Sequence, residues 1–205
     1  VIGQGTTSKE FEFYIKDYQH KLKLWWTHDL GTPYLYKLCV KIHKEQPSAQ
    51  TLATKEIIVG IRIIRKGASF ASQPEQHDKY NWGLYLNGVR LFARGANYLS
   101  DKYMSCVDRQ RYEKDIEMML AANFNMVRLF ANVERNDFYE LCDAKGLLVY
   151  QDFPLQWSYI DSKEFTERAI GIARDMVKLL FNHPSVALWC VHSEPPETNY
   201  FNLDK

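Results

Sequence analysis

Short apolar runs alternate with longer amphipathic segments over the second half of the chain, and this alternation constrains the fold most strongly. The apolar runs extend from Val89 to Ala93, Met126 to Phe130, Leu147 to Phe153 and Val186 to Val191, and each has the length of a β-strand. Helices are predicted between them. Such strand–helix repeats predict a parallel sheet, because parallel strands need a crossover connection. Four strands and three helices fit both a doubly wound sheet and part of a (β/α)8 barrel.

The three predicted helices carry recognisable end signals. Asp108 can cap a helix whose apolar side chains recur every three or four residues. A second helix, from Asp137 to Lys145, precedes Gly146, and glycine is favoured just after a helix because it adopts a left-handed conformation. Ser162 can cap a third, longer helix, which ends before Pro184. These signals set the predicted boundaries of the strand–helix repeats.

The first third of the chain is predicted to be all β. Apolar and polar residues alternate from Glu10 to Ile15 and from Leu35 to Ile42, and an apolar run extends from Glu56 to Ile64. Several short strands with turn residues between them are typical of a β-sandwich. We therefore predict two domains: an immunoglobulin-like β-sandwich over residues 1–75 and an α/β domain over residues 76–205.

Asn87 and Gly88 stand between two apolar runs near the start of the second domain. Asn-Gly is a strong hairpin signal, because a type I′ turn needs a positive φ at both of its central residues. The sequence therefore predicts a β-hairpin that turns at these two residues.

The composition argues against several functional classes. The 26 Lys and Arg nearly balance the 25 Asp and Glu, which gives no electrostatic reason to expect nucleic acid or a membrane as a partner. The sequence has no apolar run of ~18 residues, the length that a membrane helix needs. Its four cysteines form no Cys-x-x-Cys pair, so no metal site is expected, and no cofactor is predicted. Unpaired cysteines and the lack of a signal peptide favour a cytoplasmic location.

Polar and aromatic residues lie at or after the ends of the predicted strands, at the carboxyl edge where α/β proteins bind their ligands. They are Asn97, Arg128, Phe130, Asp152, Trp157, Ser193 and Glu194. A carboxylic acid can protonate a leaving oxygen, polar groups can hold hydroxyls, and aromatic rings can pack against sugars. This combination of side chains is what a glycosidase needs.

Several segments resemble glycoside hydrolase family 2. The segment from His183 to Trp189, followed by Ser193 and Glu194, is similar to the family's acid/base segment. In that segment a His-Pro-Ser turn precedes the fourth barrel strand, and an Asn-Glu pair closes it. Segments around the first three strands are similar in the same order. The β-mannosidase branch of the family resembles this chain through residues 95–98 and 151–153.

The resemblance implies a β-sandwich followed by the first four βα units of a (β/α)8 TIM barrel, so that residues 76–205 would be the N-terminal half of the catalytic domain. It also implies a retaining, exo-acting β-glycosidase that hydrolyses terminal β-D-mannosides, with carbohydrate as its partner. Glu194 is then the catalytic general acid/base. The implied substrate-binding residues are Ser193, Arg128, Asn97, Asp152, Phe130 and Trp157. The nucleophile would lie outside this chain, and the fragment alone is expected to be inactive.

Two departures from the family pattern leave the sugar open. Ser193 replaces the Asn that normally contacts the sugar 2-position, as in the exo-β-glucosaminidase branch, and Phe130 replaces a Trp platform. An exo-β-glucosaminidase is therefore one alternative. A non-catalytic carbohydrate-binding or structural fragment is another. An incomplete barrel would also leave sheet edges open, through which a homo-oligomer could form.

Overall fold

The computed structural model describes residues 22–43, 51–67, 83–159 and 162–194, so the predicted strand from Glu10 to Ile15 lies outside the described residues. The strands are β1 (Tyr36–His43), β2 (Thr51–Val59), β3 (Ile64–Lys66), β4 (Leu84–Leu86), β5 (Val89–Leu91), β6 (Gly95–Tyr98), β7 (Met126–Leu129), β8 (Leu148–Asp152) and β9 (Val186–Cys190). The helices are α1 (Arg109–Ala121), α2 (Asn136–Lys145) and α3 (Lys163–Leu180), with a 3-10 turn at Met104–Cys106. In these ranges, no helix combines the length and apolar character needed to span a bilayer.

Four strands form one parallel sheet in the order β6–β7–β8–β9, with a helix between each consecutive pair, as the sequence predicts. The position of the first strand was predicted wrongly. Residues 89–91 belong to a hairpin, and the first parallel strand is β6. β6 approaches β7 so closely that a Cβ on Gly95 would lie 1.8 Å from the backbone oxygen of Met126. A side chain is therefore excluded at Gly95, and the short apolar pattern that marks a strand is missing there.

The three helices pack on one face of this sheet. Val127 and Leu129 of β7 and Val149 of β8 share a core with side chains from all three helices: Tyr112, Ile116, Phe138, Leu141, Met176 and Leu180. Arg128 and Tyr150, which alternate with these strand residues, point to the opposite face. Helices on one face favour a barrel, in which helices form an outer ring, over a doubly wound sheet.

The helix ends confirm the predicted signals. Asp108 caps α1 by accepting a hydrogen bond from the backbone N–H of Arg111 at 2.8 Å, and Ser162 caps α3 by accepting from Phe165 at 3.1 Å. Gly146 ends α2 in a left-handed conformation with φ of 73°. A Cβ at Gly146 would also lie 2.7 Å from the backbone nitrogen of His28, so both conformation and space require glycine.

A second core closes the N-terminal end of the parallel sheet. Trp25, which is fully buried, packs with Leu86 and Leu91 of the β4–β5 hairpin and with the first residues of β7 and β8. Its indole N–H donates to the backbone oxygen of Asp143 at 2.7 Å. The hairpin turns at Asn87 and Gly88, with φ of 50° and 85°, which confirms the predicted Asn-Gly turn. The segment around Trp25 thus seals the end of the sheet away from the candidate site.

The N-terminal strands differ in detail from prediction. β1 and β2 form an antiparallel ribbon, whereas β3 joins β4 and β5 in a separate sheet. The apolar run from Glu56 to Ile64, predicted as one strand, is divided between the two sheets. Gly60 lies at the division, where a Cβ would meet Pro184 at 2.6 Å. The ribbon is what the described residues contain of the predicted sandwich, so the sandwich and the domain boundary at residue 75 stay predictions.

Candidate active site

The candidate site lies on the sheet face opposite the helices, near the carboxyl ends of the strands. Asn97, Arg128 and Tyr150 occupy neighbouring positions in the register of β6, β7 and β8. Asp152 lies two residues beyond Tyr150 and pairs with Cys190 of β9. Because side chains alternate along a strand, these residues share one face. The predicted edge residues Asn97, Arg128 and Asp152 are therefore brought together.

Arg128 and Asp152 form a two-pronged ion pair. The guanidinium donates from Nε to Oδ1 of Asp152 at 2.9 Å and from Nη2 to Oδ2 at 2.8 Å. The backbone N–H of Ala131 donates to the same Oδ2 at 3.2 Å. Asp152 is fully buried, whereas the side chain of Arg128 is 29% exposed. The hydrogen bonds to Asp152 raise the pKa of Arg128, against the opposing effect of burial, so a fixed positive charge faces the site.

Ser193 connects this ion pair to the end of β9. Its hydroxyl accepts a third hydrogen bond from Arg128, at 3.2 Å from Nη2. Its backbone N–H donates to Leu155 at 2.9 Å, and its backbone oxygen accepts from Trp157 at 3.2 Å. Ser193 is almost fully buried. These bonds join the loop after β8 to the residues after β9, so that the two segments form one structural unit.

Glu194 lies next to Ser193 and is exposed. Its Oε2 accepts a hydrogen bond from the indole N–H of Trp157 at 2.9 Å. Both residues have left-handed backbones, with φ of 50° at Glu194 and 57° at Trp157. Such conformations are unusual outside Gly and Asn and recur at functional sites. The predicted acid/base residue and a predicted sugar-binding aromatic thus form one hydrogen-bonded pair.

Aromatic rings flank the guanidinium of Arg128. Its Cζ lies 5.6 Å from the ring centre of Phe130 and 5.3 Å from that of Tyr150, distances that allow cation–π attraction. Tyr150 was missed by sequence reasoning. Its position two residues before Asp152 was the available signal, because that spacing puts both side chains on one face of β8.

Asn97 lies at the exposed margin of the site. It lines a shallow cavity of about 210 Å³ together with Gly95, Ala96, Met126 and Arg128. The cavity follows the first strand of the sheet, on the face that carries the ion pair. Asn97 therefore stands beside Arg128, as predicted, and its amide is accessible to a ligand.

A buried carboxylate that sequence reasoning missed supports the loop after β7. Glu134 accepts hydrogen bonds from Tyr112 at 2.6 Å, Ser100 at 3.0 Å and Asn132 at 2.7 Å. Burial, and then the hydrogen bond to Glu134, raise the pKa of Tyr112 to about 12. All three donors lie within the chain, so Glu134 holds the loop from the helix side and is not available to a ligand.

The sequence matches a known family over more than half of its length. The family description "Glycosyl hydrolases family 2, TIM barrel domain" fits residues 80–203, the part that contains the parallel sheet and Glu194. This chain belongs to glycosyl hydrolase family 2. The match confirms the family that the motifs predict, and it agrees with helices packed on one face of the sheet.

Several relatives of this family 2 chain are known. β-Mannosidase B of Aspergillus flavus is 31% identical over 175 residues, which cover 83% of this chain and 20% of that protein. The structure of β-D-mannosidase from Dictyoglomus thermophilum is 28% identical with a TM-score of 0.66, over 83% of this chain and 21% of that one. β-Glucuronidase 3 of Bacteroides uniformis shares the fold at 24% identity and a TM-score of 0.64, over 82% and 19%. The chain thus spans about a fifth of the length of these relatives.

The side chains of the predicted site residues of this family 2 chain form two hydrogen-bonded groups, which the backbone bond from Trp157 to Ser193 connects. Arg128, Asp152 and Ser193 form the first, and Trp157 and Glu194 form the second. Asn97 and Phe130 contribute no hydrogen bond between the groups and lie beside Arg128. Within the described part of the chain, His, Cys, Asp and Glu side chains form no cluster of three or more that could hold a metal ion.

Proposed function

We propose that this chain is part of a retaining, exo-acting β-glycosidase that hydrolyses terminal β-D-mannosides, with Glu194 as its general acid/base. The observation that carries the proposal is the place of Glu194. It is an exposed carboxylate four residues after the end of β9, held by Trp157 and adjacent to Ser193. Membership of family 2 and similarity to two β-mannosidases support the same activity.

In the proposed mechanism, Glu194 first protonates the glycosidic oxygen of the leaving group. A second carboxylate attacks the anomeric carbon to form a glycosyl-enzyme, and Glu194 then removes a proton from the water that hydrolyses it. In retaining enzymes the two carboxyl groups stand about 5–5.5 Å apart. We propose that the nucleophile is a residue outside these 205 residues, since the chain spans a fifth of its relatives. The fragment alone is then expected to be inactive.

Arg128 is the residue that we expect to organise the site around the nucleophile. Its guanidinium is held by Asp152 and Ser193 and still is 29% exposed. A fixed cation on this face can orient the carboxylate of the nucleophile through charge-assisted hydrogen bonds. Asp152 is fully buried behind it, so we propose that Asp152 acts by holding Arg128. Asn97 and Trp157 are exposed and Phe130 is half-buried, so we propose that they contact sugar hydroxyls and ring faces.

A glucosaminide is the second candidate substrate, and Ser193 favours it. The hydroxyl of Ser193 is buried and already accepts a hydrogen bond from Arg128. A hydroxyl is shorter than the Asn amide of the family pattern and has a different set of donors and acceptors. The contact that would select a mannose 2-hydroxyl is therefore changed at this position, and the amino group of a glucosaminide is the alternative 2-substituent.

The test is an assay of the full-length protein against 4-nitrophenyl β-glycosides, including the mannoside and the glucosaminide. We expect Glu194→Gln to lower kcat by about 10²- to 10⁴-fold, because hydrolysis of the glycosyl-enzyme needs a general base whatever the leaving group. Glu167→Gln is the matched control, since Glu167 is an exposed carboxylate on α3. Equal activity of the wild type and Glu194→Gln would contradict the acid/base role.

The stereochemistry and the alternatives are tested with the same protein. Proton NMR of the first-formed product should show the β anomer, and the α anomer would contradict retention. If no glycoside is cleaved but sugars bind, the non-catalytic carbohydrate-binding alternative is supported. Homo-oligomers through sheet edges stay a prediction, and a monomer in light scattering would contradict it.

A further inference from the structure

Trp157 stands out because the polar group of its exposed side chain makes a direct hydrogen bond to Glu194. The side chain is 58% exposed, in the loop that follows β8. Its indole N–H donates to Oε2 of Glu194 at 2.9 Å. An exposed indole N–H can bond to water equally well. A direct bond to the proposed acid/base carboxylate therefore suggests a role beyond filling space.

The backbone fixes both partners of this hydrogen bond. Trp157 and Glu194 adopt left-handed conformations, which cost non-glycine residues roughly 1–3 kcal/mol and persist only where the surroundings compensate. Here the compensation comes from three hydrogen bonds between the two loops. Ser193 donates to Leu155 at 2.9 Å, Trp157 donates to Ser193 at 3.2 Å, and His192 Nε2 bonds to the backbone oxygen of Trp157 at 3.1 Å. The indole and the carboxylate are thus held in fixed relation.

Packing of the loop is carried by a different residue. Tyr159 stacks on Phe165 of α3 with ring centres 4.6 Å apart, and it contacts the ring of His192 at 5.5 Å. Among the ring contacts of the described residues, none involves Trp157. The loop is therefore anchored through Tyr159, and Trp157 is left to interact with Glu194.

We infer that Trp157 is a positioning residue for proton transfer by Glu194. This inference rests on the proposed function. With Oε2 occupied by the indole N–H, the protonated form of Glu194 carries its proton on Oε1. That proton passes to the glycosidic oxygen as the bond from the anomeric carbon breaks, and the bonding electron pair goes to the leaving oxygen. Trp157 keeps its own proton throughout and holds the carboxyl group so that Oε1 faces the leaving group.

The test separates this role from that of a sugar platform by varying the leaving group. The full-length protein and Trp157→Phe are assayed with aryl β-glycosides of the cleaved sugar, from 2,4-dinitrophenyl, which leaves without a proton, to phenyl, which needs one. Trp157→Phe keeps an aromatic ring and loses only the N–H. We expect kcat/KM, which reports formation of the glycosyl-enzyme, to fall about 10- to 100-fold for the phenyl glycoside and less than about threefold for the dinitrophenyl glycoside. The larger loss is part of the 10²- to 10⁴-fold that general acid catalysis contributes. Tyr159→Phe keeps its ring contacts and is the control. Its kcat/KM relative to the wild type should be the same for every leaving group.

A uniform loss with every leaving group would overturn the inference and assign Trp157 to sugar binding. A second measurement needs no turnover. In protein labelled with 5-fluorotryptophan, the ¹⁹F line of Trp157, assigned by its absence from Trp157→Phe, should shift in Glu194→Gln but not in Glu167→Gln. An unmoved line would overturn the contact itself. Inactivity of the wild type towards all glycosides would overturn the proposed function and this inference together, whereas a uniform loss leaves the function standing.

Discussion

The two ends of the parallel sheet are built in opposite ways. At the N-terminal end, fully buried Trp25 packs with hairpin residues and donates to the backbone of Asp143. The carboxylate of Asp143 in turn bonds to His183 at 2.6 Å and to the backbone N–H of Ser185 at 3.0 Å. At the carboxyl end, Arg128 and Glu194 keep exposed surface. One end is closed by partners within the chain, and the other leaves charged groups for a ligand.

Backbone conformation differs between the ends in the same way. Away from the carboxyl end, the non-glycine residues with positive φ in the described segments are Asn87 and Asn123, a residue type that tolerates this conformation. After β7, β8 and β9 they are Ala131, Trp157 and Glu194, which tolerate it poorly. Backbone strain is therefore concentrated where the chemistry is proposed, and the closed end supplies stability.

The largest expected effect is on stability at the closed end. Trp25→Ala should lower the free energy of unfolding by about 3–5 kcal/mol, as is typical of removing a buried aromatic side chain. Trp157→Ala, at the open end, should lower it by about 1 kcal/mol or less, because that side chain is largely exposed. Urea unfolding of the two variants gives the comparison. Equal losses of unfolding free energy in the two variants would show that the two ends contribute equally to stability.

An arginine-to-lysine change at the open end should lower activity, whereas the same change at the closed end should not. Arg128→Lys removes the two-pronged bond to Asp152, which a lysine cannot reproduce, and we expect kcat/KM to fall about 10- to 100-fold. Arg94→Lys is the matched control, because Arg94 donates to Asp29 at 2.7 Å near the closed end. It should keep kcat/KM within about twofold. A comparable fall in both variants would contradict a specific role for Arg128.

Alkaline pH should lower the stability of the fold, because it ionises Tyr112, whose hydroxyl donates to Glu134 in the loop after β7. Burial and Glu134 raise the pKa of Tyr112 to about 12, whereas an unfolded tyrosine titrates near ~10. The unfolded state therefore loses its proton first. The contribution of Tyr112 is complete below pH ~10 and is lost as pH rises through about 12. Urea midpoints between pH 9 and 11 should fall less steeply for Tyr112→Phe than for the wild type, and Tyr103→Phe, at an exposed position, should match the wild type.

The smallest expected effects concern backbone strain. Ala131→Gly should raise the free energy of unfolding by up to about 1 kcal/mol, because glycine adopts a positive φ without steric cost. Asn87→Gly should lower it by about 1–2 kcal/mol, because Asn87 bonds to the backbone of Ile63 and Trp25 through its side chain. Thermal unfolding measures both. If both changes stabilised the protein, backbone strain would not be concentrated at the carboxyl end of the sheet.

Much of the fold could be predicted because its signals are local. Asp108, Ser162 and Gly146 mark helix ends whatever the tertiary context, and Asn87-Gly88 marks a turn. β6 could not be located, since Gly95–Tyr98 carries little apolar pattern and is recognised only by its pairing with β7. The nearby run from Val89 to Ala93 has the stronger local signal and belongs to the hairpin.

The sequence by itself determined the family, the order of strands and helices, and the edge at which Arg128, Asp152 and Glu194 gather, because parallel strands end at a common edge. Only the tertiary structure decided which groups pair. Sequence order does not show that Arg128 bonds to Asp152 and Ser193, or that Trp157 bonds to Glu194. Each pair joins different strands or loops, and their separation depends on register and loop geometry, which follow from packing of the whole sheet.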